Sequence, residues 1–198
     1  MTEPRPSAIH HPAESELFDE TLSCELALPA EFRLGSAVIR PGSAEMLLRS
    51  VALVEDSRGE DHDERGESSA QLQRLEAKLD LTMVLLGRLV RQSAQDLDLR
   101  PLRWSRRGIR LEQGLRTGAA TGSLGLIRLQ PCEWLPDHID LPVAVLAEAA
   151  TGAGAHFLWL RFEPMSDALE MALERHLFRL HRRQIAQARL AERRPADN

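Results

Sequence analysis

The sequence predicts an α+β fold: short antiparallel strands form a small barrel or sandwich, a long helix is inserted between strands, and a further helix ends the chain. Three observations lead to this prediction. Between residues 98 and 163, short apolar-alternating runs are separated by glycine-containing turns, which is typical of small antiparallel sheets. Residues 69–97 repeat apolar side chains at helical spacing without a proline. Residues 166–192 show the same spacing after Pro164.

The composition is that of a globular domain and excludes several function classes. The 198 residues are 43% hydrophobic and 28% charged, enough for one domain with a core. The net charge of −5 argues against general nucleic-acid binding. No apolar run approaches the roughly 20 residues of a membrane span, and the first residues lack the apolar segment of a secretory signal. We therefore expect a cytoplasmic protein without membrane insertion, in which Cys24 and Cys132 are reduced packing residues.

The first part of the chain changes from polar to alternating. Residues 1–16 carry three prolines among polar residues, which predicts a disordered tail. Residues 17–198 are predicted to form a single domain. Apolar side chains alternate over residues 22–28, which indicates a half-buried strand that ends at Pro29. Ser43 is a favourable residue to cap the next predicted helix.

A helical insertion is predicted at about residues 43–97, and its longest element is the helix 69–97. A helix of that length spans about 40 Å, more than a small domain can cover. Its apolar stripe is therefore predicted to pack against another copy in a coiled coil, although a core helix across a sheet would show a similar pattern. The width of the stripe favours a homotetramer over a dimer. The predicted oligomerisation residues are Leu72, Leu75, Leu79, Met83, Leu86 and Val90.

The predicted C-terminal helix 166–192 begins at Ser166 and is rich in arginine towards its end. Its arginines, with those that follow it, are Arg175, Arg179, Arg182, Arg183, Arg189, Arg193 and Arg194. Cations near a helix C-terminus are favoured by the helix dipole, which accounts for part of this cluster. The remainder is expected to meet an acidic partner, such as the acidic connector 55–67 of this chain or of a neighbouring copy.

The segment RWSRRG at residues 103–108 is the strongest candidate for a ligand site. It forms a corner between two predicted strands, and guanidinium groups close to exposed backbone N–H groups can hold a phosphate. The candidate nucleotide-binding residues are Arg103, Ser105, Arg106, Arg107 and Gly108. Trp104 is expected in the core, with stacking on a base as the alternative.

Other motifs give no site. The glycine run 114–125 lacks the Gly-Lys-Ser/Thr ending of a phosphate loop, so a mobile hairpin is predicted instead. The sequence offers no nucleophile–base pair, no paired carboxylates with a substrate site and no metal-ligand spacing. We therefore predict no catalytic residues, no metal, no cofactor and no enzymatic activity.

The corner Ser105-x-x-Gly108, in a small barrel followed by a helix, resembles the PilZ domain family of bacterial receptors for cyclic di-GMP. The family motif has Asp or Asn two residues before the serine, where this chain has Arg103. The second family motif, Arg-x-x-x-Arg, precedes the corner by a few tens of residues. Pairs at this spacing include Arg103/Arg107, Arg106/Arg110 and Arg179/Arg183, and none of these lies there. That stretch holds the long helix, which resembles the atypical, helix-inserted PilZ subfamily that forms oligomers.

The resemblance implies a PilZ-like antiparallel β-barrel over about residues 98–180, completed by the strand near 22–28. It also implies a non-enzymatic adaptor in cyclic di-GMP-linked control of motility, pili or virulence, acting on an unidentified signalling or pilus-assembly protein. Arg103 replaces an acceptor of N–H groups by a donor, so we predict that the corner no longer binds cyclic di-GMP. Two alternatives remain: a true cyclic di-GMP receptor using residues 103–108, and an oligomeric scaffold that presents its basic C-terminal helix to an acidic partner or to nucleic acid.

Overall fold

A computed structural model describes residues 11–35, 42–57, 79, 82, 97–132, 134–135, 137–151 and 154–192. Within them, six antiparallel strands form a closed barrel and helices pack around it, which confirms the predicted α+β fold with a barrel. The elements are α1 Pro12–Phe18, β1 Ser23–Leu34, α2 Ser43–Ser57, β2 Leu99–Ser105, β3 Gly108–Gln113, β4 Leu124–Leu129, β5 Ile139–Ala150, β6 His156–Phe162 and α3 Asp167–Glu192.

Strand β1 closes the barrel by pairing with two different strands. Residues 23–29 pair with β2, and residues 30–34 pair with β4, which gives the closed order β1-β2-β3-β6-β5-β4. The prediction that this strand ends at Pro29 is therefore wrong. Pro29 occupies the last pair with β2, where the strand changes partner, and the missing N–H of a proline is tolerated at such an irregular position.

Alternate side chains of the strands fill the barrel. Along β6, Leu158 and Leu160 are fully buried in the barrel core, whereas Trp159 belongs to a separate apolar cluster outside it. Each buried leucine of this kind stabilises the fold by about 1.5–3 kcal/mol. Trp104 is also fully buried in the core, so it has no exposed face on which a base could stack.

Helices α2 and α3 extend the barrel core. Leu48 of α2 and Leu173 and Leu177 of α3 are buried in the same apolar cluster as the barrel strands. Ser166 caps α3 by accepting a hydrogen bond from the N–H of Leu169 at 3.3 Å. The predicted C-terminal helix and the predicted helix that starts at Ser43 are both present.

The prediction of a disordered tail over residues 1–16 is wrong for residues 12–16, which form most of α1. His11 caps this helix, since its Nδ1 accepts a hydrogen bond from the N–H of Ala13 at 3.2 Å. Pro12 follows at the first helical position, where its fixed φ angle is favourable. The apolar cluster between α1 and the outside of the barrel consists of Ala13, Leu17, Phe18 and Trp159. Residues 1–10 lie outside the described residues.

The two thiols are packing residues of low reactivity. Cys24 and Cys132 are both buried and free. Burial raises the pKa of each thiol to about 11, so the thiol form dominates at neutral pH.

His176 is a buried histidine at the contact between α3 and the barrel. It is 1% exposed, and its Nε2–H donates a hydrogen bond to the carbonyl oxygen of Pro131 at 3.1 Å. Burial lowers the pKa of His176 to about 4; the Glu55 carboxylate opposes this shift, and the Arg183 and Arg179 guanidiniums reinforce it. The ring is therefore neutral in the folded protein at neutral pH.

The neutral ring makes stability depend on pH. In the unfolded chain a histidine binds a proton near its ordinary pKa of about 6.5, whereas His176 in the fold does so only near pH 4. The unfolded state therefore binds more protons as the pH falls from 6.5 to 4, and the free energy of unfolding is expected to fall by an amount on the order of 3 kcal/mol from this group. Urea unfolding of the wild type and of His176→Gln, measured across this pH range, tests the expectation.

The free energy of unfolding of His176→Gln is expected to depend less steeply on pH than that of the wild type, because glutamine can keep the donor to Pro131 and does not titrate. His181→Gln, at a less buried position on the same helix, is the control for the exchange of histidine for glutamine. Equal slopes of the free energy of unfolding against pH for the wild type and His176→Gln would contradict the assignment of this pH dependence to His176.

Candidate functional site

The candidate residues 103–108 form the turn between β2 and β3 and lie under helix α1. Ser105 is fully buried at this turn, and its Oγ donates a hydrogen bond to the carbonyl oxygen of Leu17 at 2.7 Å. The same Oγ accepts a hydrogen bond from the N–H of Arg107 at 3.1 Å. Ser105 therefore stabilises the turn and ties it to the end of α1, and its hydroxyl does not face solvent.

Gly108 is required by close packing. A Cβ at this position would overlap the carbonyl oxygen of Leu160 on β6 and would lie 2.8 Å from Cδ2 of Leu17. Any larger residue would push α1 and β6 away from the turn. The Ser-x-x-Gly corner is thus explained by the contact between α1, β3 and β6.

Glu14 of α1 binds the basic face of the barrel through three hydrogen bonds. Its Oε1 accepts hydrogen bonds from Arg103 at 2.8 Å and from Arg110 at 2.7 Å. Its Oε2 accepts a hydrogen bond from the indole Nε1 of Trp159 at 2.7 Å. Only 18% of the Glu14 side chain is exposed, and charge-assisted hydrogen bonds of this kind are among the strongest in proteins.

The ion pair with Glu14 limits the availability of Arg103 for a ligand. Its remaining N–H groups donate to Oγ of Ser23 at 3.0 and 3.1 Å, and its guanidinium stacks on the ring of Phe18 at 4.5 Å from the centroid. The arginine that stands in place of the family's acid is therefore a structural link between α1 and the barrel. A phosphate could use Arg103 only by displacing Glu14.

The other arginines of the corner are also engaged within the chain. Nη1 of Arg107 donates to the carbonyl oxygens of Glu16 and Asp19, both at 3.1 Å, at the C-terminal end of α1. Arg106 forms an ion pair with Glu174 of α3 at 3.1 Å. Both partners of this last pair are about half exposed, so it is the weakest of these links.

Two clefts meet at Arg106. A groove of about 760 Å³, here called the α3 groove, is lined by residues 20–22, by Arg106 and by residues of α3 between 174 and 182. A second cleft of about 600 Å³ lies between α1 and the connection from β6 to α3, and it includes Arg107. The accessible space at the corner therefore lies beside its arginines.

The glycine run between β3 and β4 is not the predicted hairpin. Strand β3 pairs with β2 and β6, and β4 pairs with β1 and β5, so the run connects two strands that are not neighbours. The buried carboxylate of Glu148 accepts hydrogen bonds from the N–H groups of Thr117 at 2.6 Å and Gly118 at 3.0 Å. Burial acts to raise the pKa of Glu148, but these bonds outweigh it and hold the pKa below its ordinary value. The backbone donors that could hold a phosphate thus bind a carboxylate of the chain itself.

The basic part of α3 does meet an acidic residue of the predicted connector. Arg183 forms an ion pair with Glu55, whose side chain is only 7% exposed, so α2 and α3 are joined at this end. Among the described residues, no three His, Cys, Asp or Glu side chains are close enough to hold a metal ion. No described helix is both long enough and apolar enough to span a membrane.

Of the predicted oligomerisation residues, the structure describes Leu79, which is helical and 57% exposed within one chain. The others lie outside the described residues; they are Leu72, Leu75, Met83, Leu86 and Val90. Exposure of a large apolar side chain in a helix is consistent with a partner helix.

Glu14 and Glu16 are not among the predicted site residues, because both fall in the segment that is predicted to be a tail. Glu16 forms an exposed ion pair with Arg161 at 3.1 Å. A signal for α1 was present: Pro12 at a helix start, followed by Glu14 in the first turn and the pair Leu17-Phe18. Its seven residues are too few for a periodic pattern to stand out.

The chain is similar to proteins of one family. A family model described as "Atypical PilZ domain, cyclic di-GMP receptor" matches residues 48–190. A solved structure from Xanthomonas campestris, described as a pathogenic protein with a tetrameric PilZ domain self-assembled through a helical bundle, is 52% identical. The match covers 88% of this chain and 95% of that chain, with a TM-score of 0.76.

A second solved structure, the inhibitor of motility of Bacillus subtilis, is 18% identical, with a TM-score of 0.35. The match covers 45% of this chain and 43% of that chain. The search of curated proteins found no match.

The bonds of Glu14 give a testable difference between two glutamates of α1. Glu14→Ala is expected to lower the free energy of unfolding by about 2 kcal/mol, because two partly buried guanidiniums lose one of their acceptors and the indole N–H of Trp159 loses the acceptor at Oε2 of Glu14. Urea unfolding measures this change, and amide hydrogen exchange reports whether α1 detaches. Glu16→Ala, which removes a half-exposed ion pair, is the matched control and should change stability by less than about 1 kcal/mol. Equal losses for both variants would contradict the role of Glu14.

Proposed function

Because the chain belongs to the atypical PilZ domain family, we propose that it is a non-enzymatic adaptor in bacterial signalling. We further propose a role in cyclic di-GMP-linked control of motility, pili or virulence; the family's description as a cyclic di-GMP receptor supports the link to this nucleotide. It acts in the cytoplasm by contact with a signalling or pilus-assembly protein, and its corner does not itself bind the nucleotide.

One observation carries the proposal that the corner does not bind nucleotide: each of its three arginines already has an acceptor in the chain. Arg103 pairs with Glu14, Arg106 with Glu174, and Arg107 with two backbone carbonyls of α1 and its end. A phosphate would have to displace these acceptors and would also have to move α1, whose apolar side chains are buried on the barrel. The free energy of these contacts opposes ligand binding at the corner.

Self-association is the second part of the proposal. The related protein from Xanthomonas campestris is described as a tetramer assembled through a helical bundle, and it is 52% identical to this chain. Leu79 is helical and exposes more than half of its surface within a single chain. We infer that residues 69–97 form a bundle with the same residues of other copies and that the protein is a homotetramer.

The rival function is a true cyclic di-GMP receptor at residues 103–108. The observation that favours it is the position of the two clefts, which open beside Arg106 and Arg107 and offer volume next to cationic groups. The ion pair of Arg106 is half exposed, so this arginine could change partner at little cost. The rival therefore requires binding that depends on Arg106 and Arg107.

Isothermal titration calorimetry of the full-length protein with cyclic di-GMP separates the two functions. The adaptor proposal expects no binding in the micromolar range, because the acceptors of α1 and α3 already occupy the corner's cations. The same titration is made with a variant carrying Arg106→Ala and Arg107→Ala and with Arg116→Ala, an exposed arginine of the β3–β4 connection, as the matched control. Micromolar binding by the wild type and Arg116→Ala that is absent from the double variant would establish the receptor and overturn our proposal.

Light scattering tests the bundle. The wild type is expected to scatter as a tetramer, and Leu79→Asp and Leu86→Asp are expected to give smaller species, because a charge in an apolar seam is unfavourable. Leu115→Asp, at a side chain that is 84% exposed in the β3–β4 connection, is the matched control and should remain tetrameric. A tetramer unchanged by both stripe variants would rule out the bundle.

A further inference from the structure

Helix α3 carries a row of exposed apolar side chains on the face turned away from the barrel. Met171 and Phe178 are each 55% exposed, and Ile185 is 39% exposed. They are seven residues apart, which places them on one side of the helix over about 21 Å. We call these three residues the α3 stripe. Three large apolar side chains aligned in this way are unlike scattered surface residues and mark a contact surface.

Arginines follow the apolar residues of the stripe with the same period. Arg175, Arg182 and Arg189 each lie four residues after a member of the stripe. In the part of the chain that the structure describes, none of these three forms an ion pair, whereas Arg183 on another side of the helix is paired with Glu55. The outer side of α3 therefore alternates apolar and cationic positions along its length.

The α3 groove provides a second wall beside this side of the helix. Its opposite wall is formed by residues 20–22, of which Leu22 is 36% exposed, and Phe178 lies on the α3 side. With a volume of about 760 Å³, the groove can receive several side chains from an incoming element. The surface thus combines exposed apolar side chains, a recess and a row of cations. The recess also holds the carboxylates of Glu20 and Glu174, and Glu174 is paired with Arg106.

We propose that the α3 stripe and the α3 groove dock an acidic amphipathic helix of a partner protein. The proposal rests on the adaptor function and names the chemistry of the adaptor's target. Apolar side chains of the partner, spaced every three or four residues, pack on the stripe and into the groove. Carboxylates flanking this apolar row pair with Arg175, Arg182 and Arg189.

Segments of this chain match the surface less well. The connector 55–67 is acidic, but it holds no large apolar side chain to place on the stripe, and its two glycines disfavour a helix. The segment 69–97 of another copy is apolar, but it carries four basic and three acidic residues, so its charge does not complement the arginines. Nucleic acid would use the arginines but not the half-exposed Met171, Phe178 and Ile185. An acidic amphipathic helix is the occupant that uses both features.

The probe for this surface is a synthetic, fluorescently labelled peptide of about 18 residues, with leucines at three- and four-residue steps flanked by glutamates. Fluorescence anisotropy measures its binding to the full-length protein. Two further peptides control for composition and charge: one has the same residues with the leucines distributed around the helix, and one has lysine in place of glutamate. The acidic amphipathic peptide is expected to bind, and the other two are expected to bind at least about tenfold more weakly.

The variants test the stripe and the arginines separately. Phe178→Asp and the pair Arg175→Glu with Arg182→Glu are each expected to weaken binding of the acidic peptide by about tenfold or more. The charge-reversed pair is expected to gain binding of the lysine peptide, a rescue that a merely unfolded variant could not show. Leu115→Asp and Arg116→Glu, exposed residues of the β3–β4 connection, are the matched controls and should bind as the wild type does.

Four outcomes would overturn the proposal. The first is equal binding of the acidic amphipathic peptide and of the peptide with distributed leucines. The second is unchanged binding of the acidic peptide by Phe178→Asp or by the pair Arg175→Glu with Arg182→Glu. The third is a DNA duplex that binds more tightly than the peptide and no longer binds the arginine pair variant. The fourth is a smaller oligomer of Phe178→Asp by light scattering, since a second copy would then cover the α3 stripe. Nucleotide is absent from these titrations. Failure of the acidic peptide to bind would therefore not affect the calorimetric test of the proposed function. In the same way, micromolar binding of cyclic di-GMP would not decide whether this surface binds the peptide.

Discussion

The carboxylate of Glu14 holds helix α1 on the barrel, and the availability of Arg103 at the corner depends on this contact. Two guanidiniums and one indole N–H converge on this group from β2, β3 and β6. Without it, the outside of the barrel would present Arg103, Arg110 and the indole of Trp159 to solvent. With it, both guanidiniums have a carboxylate partner, and an apolar cluster lies between α1 and the barrel. A short acidic helix thus takes the place that an anionic ligand would need.

Helix α3 has the opposite arrangement on its outer side. Its inner face is committed to the core through Leu173 and Leu177, and His176 is held there in its neutral form. Its outer side keeps apolar and cationic groups accessible. The chain therefore closes one basic surface with its own carboxylates and leaves another open. This division fits the proposed adaptor function, in which specificity rests on contacts with other macromolecules.

Local patterns in the sequence were sufficient for most elements of the barrel and for α2 and α3. The alternation of β1 and the helical spacing after Ser166 are properties of neighbouring residues, so they can be recognised without the fold. The end of β1 was missed because Pro29 is tolerated only through a change of partner strand, which depends on barrel closure. The hairpin at the glycine run was wrong for the same reason, since strand order is a long-range property.

The candidate site was predicted only in part. Ser105 and Gly108 were located correctly in a strand–turn–strand corner, but their role in packing under α1 could not be inferred. Glu14 and its partner Arg103 are separated by 89 residues, and no local pattern links them. The predicted absence of nucleotide binding at the corner and the predicted oligomeric role of residues 69–97 stay predictions.

The division of β1 between two partners has a further consequence for how the barrel assembles. Residues 35–98 separate β1 from β2. The entropic cost of closing a loop rises by only about 0.6 kcal/mol for each doubling of its length, so the insertion can vary in length at small thermodynamic cost. The kinetic cost is larger, because contacts between distant parts of the chain slow folding. During synthesis β1 emerges first and pairs with β2 and later with β4, and the barrel closes only when β6 pairs with both β3 and β5.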